Sequence, residues 1–119
     1  MHNIIAVTNR KGGVGKTTVA VNLAAALSTN FKLNCVLIDA DPIGSSSLWM
    51  EETIIQRLAL KRLILPNSPS NKSHALQTWG ATLSSIAREC DIVIADLPPI
   101  ELGVFSELLH QVGYIIIPV

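Results

Sequence analysis

The residues Asn9-Arg10-Lys11-Gly12-Gly13-Val14-Gly15-Lys16-Thr17-Thr18 follow a short apolar run, Ile4-Ile5-Ala6-Val7, and lead straight into a helical pattern. Their types and spacing suit a polyphosphate group. Such a group carries several negative charges and must meet many donors at close range. Glycines let successive backbone N–H groups turn inward with no Cβ in the way, and a following helix points its positive end at the same spot. Lys16 adds a mobile cation, and the Thr17 hydroxyl can ligate Mg²⁺. The common pattern G-x-x-x-x-G-K-[ST] would place glycine at position 10, where Arg10 stands. The residues Lys11 to Thr17 instead match K-G-G-x-G-K-[ST]. Background residue usage gives six specified positions a chance on the order of 10⁻⁷ per site, which disfavours a glycine-rich turn with two incidental lysines.

A phosphate loop needs acidic partners at the ends of neighbouring strands, and two segments offer them. One is Val36-Leu37-Ile38-Asp39-Ala40-Asp41-Pro42-Ile43-Gly44-Ser45, and the other is Ile92-Val93-Ile94-Ala95-Asp96-Leu97-Pro98-Pro99. Four apolar residues running into an aspartate are a weak signal alone, since any buried strand can end in a turn aspartate. Behind a phosphate loop the same pattern gains weight.

Positioning these groups requires a sheet. Four apolar runs, Ile4–Val7, Cys35–Ile38, Ile92–Ala95 and Tyr114–Ile117, are continuous rather than alternating, as strands covered on both faces require. Leu63-Ile64-Leu65, stopped by Pro66, is a fifth and weaker strand candidate. Between them lie helical patterns. Val19, Leu23, Ala26 and Leu27 share a face over Thr17–Thr29, and Leu76, Trp79, Leu83, Ile86 and Cys90 repeat at three- and four-residue steps over Asn71–Glu89. Leu48–Leu60 reads as a further helix, Val104–Gln111 as a short one, and Pro66–Asn71 as a loop. Strands alternating with helices imply right-handed crossovers and a mostly parallel α/β sheet in one domain spanning residues 1–119. Tyr114 to Pro118 reads as a buried strand with nothing after Val119 to cover it, so the expectation is a domain truncated at its C-terminus, the N-terminal portion of a longer one.

Composition narrows the function classes. The chain has 119 residues, 49% of them hydrophobic and 15% charged, with nine basic and nine acidic side chains and a formal net charge of zero. A dedicated nucleic-acid module usually shows a basic excess, so charge does not support DNA binding by this segment. No apolar run reaches the length of a membrane-spanning helix, and the N-terminus lacks the pattern of a secretory signal. The two cysteines, Cys35 and Cys90, support neither a disulfide framework nor a metal cluster and read as small buried or half-buried thiols; the expected location is cytoplasmic. His2, His74 and His110 are scattered without metal-ligand spacing. Trp49 and Trp79 read as core, and Arg57, Lys61, Arg62 and Lys72 as solvated surface.

The loop Lys11–Thr18 resembles the deviant Walker A motif of the ParA/MinD group of P-loop ATPases, in which a second lysine, here Lys11, precedes the glycines. The resemblance extends to the D-x-D-P-x-G-S element at Asp39–Ser45, with Ile43 where glutamine is usual, and to a Walker B-like strand ending in Asp96 and a D-x-P-P turn. It implies a P-loop NTPase three-layer sandwich that binds ATP and Mg²⁺. It also implies nucleotide contacts from Lys11, Gly12, Gly13, Val14, Gly15, Lys16, Thr17 and Thr18. Catalytic roles would fall to Lys11, Lys16 and Asp41, and Mg²⁺-shell roles to Thr17, Asp39 and Asp96. In such proteins the second lysine crosses a two-fold interface to the partner's phosphates, which implies an ATP-dependent homodimer. A centromere-binding ParB-like partner that stimulates hydrolysis is the expected further partner. The compact start and the D-P-x-G-S-S-S-L-W stretch look most like small partitioning ATPases of plasmids and chromosomes. A MinD-type cell-division-site ATPase and a truncated, non-catalytic nucleotide-binding or interfering module are the alternatives.

Overall fold

Among the described residues, the strand pairings are all parallel and join five strands into one sheet. The computed structural model describes residues 3–8, 15–42, 55–66, 72–100 and 110–118. In chain order the elements are β1 (Ile4–Val7), α1 (Lys16–Thr29), β2 (Cys35–Asp39), β3 (Leu58–Arg62), α2 (Lys72–Arg88), β4 (Ile92–Asp96) and β5 (Tyr114–Ile116). The sheet order is β3-β2-β4-β1-β5, so β1, β4 and β2 form its middle.

Alternate residues of these central strands serve opposite faces, as the two-residue period of a strand demands. Ile4, Ala6, Val36, Ile38, Val93 and Ala95 pack against Leu76, Trp79, Leu83 and Ala87 of α2. Val7, Leu37 and Ile94 pack against Ala20, Val21 and Ala24 of α1. Helix, sheet and helix thus make the three layers expected of a P-loop NTPase. Helix α2 buries the predicted stripe, and the Trp79 indole Nε1–H donates to the Leu63 carbonyl at 3.0 Å, tying the helix to the chain beyond β3. Helix α1 differs in detail. Its deepest residues are Ala20, Val21, Ala24 and Ser28, while Val19, Leu23 and Leu27 flank them half-buried. Small side chains at four-residue steps let this helix lie close on the sheet.

Three expectations need correction. The helix expected over Leu48–Leu60 is absent from its described part. Residues 56 and 57 form a turn, Arg57 has φ of 68°, and β3 begins at Leu58. Leu58 and Leu60 turn inward while Ala59 and Lys61 are exposed, a two-residue period that the leucine spacing disguised as a helical one. The fifth strand therefore lies at Leu58–Arg62 rather than Leu63–Leu65. The latter residues continue alongside β2, with Leu63 N–H to Asp39 O and Leu65 N–H to Ala40 O both at 3.0 Å. Lastly, β5 is not fully buried: among the described residues it pairs with β1, and Tyr114 is 61% exposed. Trp49, His2 and all but the end of the helix expected at Val104–Gln111 lie outside the described residues; residues 110 and 111 form a turn.

His74 and His110 are exposed, Cys35 is buried and Cys90 half-buried, as their scatter and flanking runs indicate. Burial raises the pKa of both thiols, so neither carries thiolate character at neutral pH. Leu83 sits at the centre of the α2 interface with no exposed surface. Leu83→Ala is expected to destabilise the domain by about 2–5 kcal/mol, measured by urea unfolding, because a close-packed site collapses only partly around the missing atoms.

Candidate functional site

The register of the sheet concentrates the site on one rung. Ile116 of β5 pairs with Val7 of β1, Val7 with Asp96 of β4, Asp96 with Asp39 of β2, and Asp39 with Arg62 of β3. Two residues earlier on the same face, Ile5, Ile94, Leu37 and Leu60 form an apolar row beneath α1. At the last rung this row turns charged, and the carboxylates of Asp39 and Asp96 are fully buried.

Above that rung lies the N-terminus of α1. Its N-cap, Gly15, has φ of 73°, the left-handed region where a side chain is strained, and glycine supplies no capping group of its own. No acidic residue occupies the first turn. The first-turn N–H groups and the helix dipole are therefore suited to an external anion. Strand β1 leads to this point through Thr8, whose hydroxyl donates to the Pro98 carbonyl at 3.0 Å and so ties the start of the loop to the turn after β4.

Lys16, the first residue of α1, is 3% exposed and reaches down to the rung. Its Nζ forms an ion pair with Asp96 Oδ1 and lies 3.6 Å from Asp41 Oδ2. Thr17 Oγ1 donates to the other oxygen of Asp96 at 3.2 Å. Asp41 sits two residues past the end of β2, and its N–H reaches Asp39 Oδ1 at 3.3 Å. The structure thus brings together Lys16, Thr17, Asp39, Asp41 and Asp96, which are far apart in sequence. Thr18 is exposed on the first turn of α1. Lys11, Gly12, Gly13 and Val14 lie outside the described residues.

One member of the rung was read from sequence only as solvated surface. Arg62 Nη2 donates to the Pro42 carbonyl at 2.8 Å, and Nη1 lies 3.7 Å from Asp39 Oδ2. A basic residue ending a strand that itself lacked a clear sequence pattern gives no local signal of this contact.

Among the described residues, no three His, Cys, Asp or Glu side chains converge as a ready-made metal cage. The donor set still fits Mg²⁺. That ion is usually held by one or two protein oxygens together with waters and phosphate oxygens, and Thr17 and Asp96 present such oxygens side by side. Among the described residues, no helix is long and apolar enough to cross a membrane.

Because Lys16 and Asp96 are both buried, removing one strands the other. Lys16→Ala and Asp96→Asn are each expected to cost about 3–5 kcal/mol in urea unfolding. The double variant is expected to cost less than the two summed, by about 0.5–3 kcal/mol, since the stranded charge is gone. Strict additivity would show that the pair does not couple.

Comparison with known proteins agrees with this geometry. Residues 5–113 match the family model of the CobQ/CobB/MinD/ParA nucleotide binding domain. The chain is 37% identical to the maintenance of carboxysome distribution protein A of Gloeobacter kilaueensis, over 91% of this chain and 56% of that protein. It is 52% identical to the chromosome partitioning protein ParA of Caulobacter vibrioides, over 84% of this chain and 36% of that protein. In fold it is similar to a putative plasmid partition protein from Borrelia burgdorferi bound to AMPPNP, with a TM-score of 0.72 and 24% identity, covering 98% of this chain and 62% of that one. The chain spans about half the length, or less, of the relatives it matches. Sequence match and site geometry together place the chain in the CobQ/CobB/MinD/ParA nucleotide-binding family.

Proposed function

We propose that this chain binds Mg²⁺-ATP at the N-terminus of α1, hydrolyses it, and dimerises with ATP to drive partitioning of a plasmid or chromosome. The observation that carries the reading is the meeting of Lys16, Thr17 and Asp96 under an uncapped helix N-terminus, with Asp41 beside them. Relatives named for chromosome partitioning and carboxysome distribution support a role in positioning a large cargo.

The roles follow from charge and reach. Lys16 neutralises the β- and γ-phosphates, and first-turn N–H groups of α1 bind their oxygens. Thr17 holds the Mg²⁺ that arrives with the nucleotide, and Asp96 and Asp39 order its water shell; that ion neutralises charge on the phosphates. Asp41, next to Lys16, orients the attacking water, because phosphoryl transfer is mostly a matter of positioning and charge stabilisation. Lys11 crosses to a second copy's phosphates and supplies a cation in trans, as an arginine finger does. A ParB-like partner that stimulates turnover completes the cycle in the cytoplasm.

Two variants separate these roles. Lys16→Ala, checked for folding by circular dichroism, is expected to lose binding of a fluorescent ATP analogue. Lys11→Ala is expected to bind it within a few-fold of wild type, yet to stay monomeric with Mg²⁺-ATP in light scattering where wild type dimerises. Absence of nucleotide binding by wild type at millimolar ATP would sink the proposal.

A further inference from the structure

We infer that Arg62 is a positioning residue for the Asp39–Pro42 turn, holding Asp41 in register over the phosphate site from the edge strand β3. The inference rests on the ATPase reading for its effect on turnover, but its structural part stands on the apo protein.

The sheet ladder fixes the chain only as far as Ala40. The Ala40 N–H donates to Asp96 O, and the Asp39 and Ala40 carbonyls accept from Leu63 and Leu65, all at 3.0 Å. Beyond that point the chain must leave the sheet to bring the Asp41 carboxylate over Lys16. Besides the approach of Lys16 to the Asp41 carboxylate, contacts from β2 and β3 hold this outer part. The Asp41 N–H reaches the Asp39 carboxylate at 3.3 Å, and the Pro42 carbonyl accepts from Arg62 at 2.8 Å. Arg62 also lies 3.7 Å from the other oxygen of that same carboxylate. One planar guanidinium therefore faces both the first and the last residue of Asp39-Ala40-Asp41-Pro42, a geometry an ammonium group does not reproduce. Register makes the contact possible, since Arg62 is the rung partner of Asp39.

The Arg62 side chain is 45% exposed, and half-exposed ion pairs add little to global stability. The residue's weight should thus fall on the turn rather than on the fold. A displacement of about 1 Å in a group that aligns a reactant can cost on the order of a hundredfold in rate.

The test compares Arg62→Ala and Arg62→Lys with wild type. In hydrogen exchange on the nucleotide-free protein, Arg62→Ala is expected to lower protection of the Asp41 amide about tenfold or more, while the Leu63 and Leu65 amides keep theirs. Its melting temperature should move by no more than a few degrees. Its kcat for Mg²⁺-ATP should fall about tenfold with KM within about twofold, and Arg62→Lys should recover part of both losses. Unchanged Asp41 protection overturns the inference, as does loss of protection spread equally to Leu63 and Leu65, which would make Arg62 merely structural. If wild type itself does not turn over ATP, the proposed function fails while the exchange arm still decides the role of Arg62.

Discussion

The buried pair of Lys16 with Asp96 is the interaction around which the rest is arranged. Taking both charges out of water costs several kcal/mol each, and their attraction repays this only with good geometry and further hydrogen bonds. Thr17 and Asp41 supply the further contacts on either side. As a device for stability alone, such a pair would be a poor choice beside a well-packed apolar pair. Its value lies in parking a cation at the mouth of a helix.

That pair dictates the order of everything near it. Helix α1 begins directly above the last rung, and its N-cap Gly15 takes a left-handed conformation there. The helix must also lie close enough for Lys16 to reach down, which the small residues Ala20, Ala24 and Ser28 allow. In the sheet, apolar rows under α1 give way to carboxylates only at the final rung. The strands end where the solvent-facing chemistry begins.

Much of this was legible in the sequence because it is written locally. Continuous β-branched runs ending in aspartate marked β2 and β4 together with the position of their charges, and the two-lysine loop marked the start of α1. What escaped notice is written across distance. Strand β3 carries two inward leucines among exposed residues, and Leu58 and Leu60 at that spacing fit more than one periodicity. With the fifth strand expected five residues later, Arg62 has no visible partner in the sequence, since its contacts with Asp39 and Pro42 arise from register. The composition of Tyr114–Pro118 marks a strand but not its cover, since burial of an apolar strand depends on the neighbours it packs against.

The same distinction separates family from cargo. The meeting of Lys16 and Thr17 with the strand-end carboxylates depends on the central strands β1, β4 and β2, each flanked by neighbours on both sides. The fold that carries it is similar, at 24% identity, to that of a putative plasmid partition protein. The flanking strands present different side chains: β3 displays Lys61 and Arg62, and the β5 segment the exposed Tyr114 and Ile117. Charged side chains on an edge discourage strand addition, and apolar ones do not. Arg62 belongs to both regions, an outer-strand residue whose guanidinium reaches Asp39 and Pro42 beside the central carboxylates.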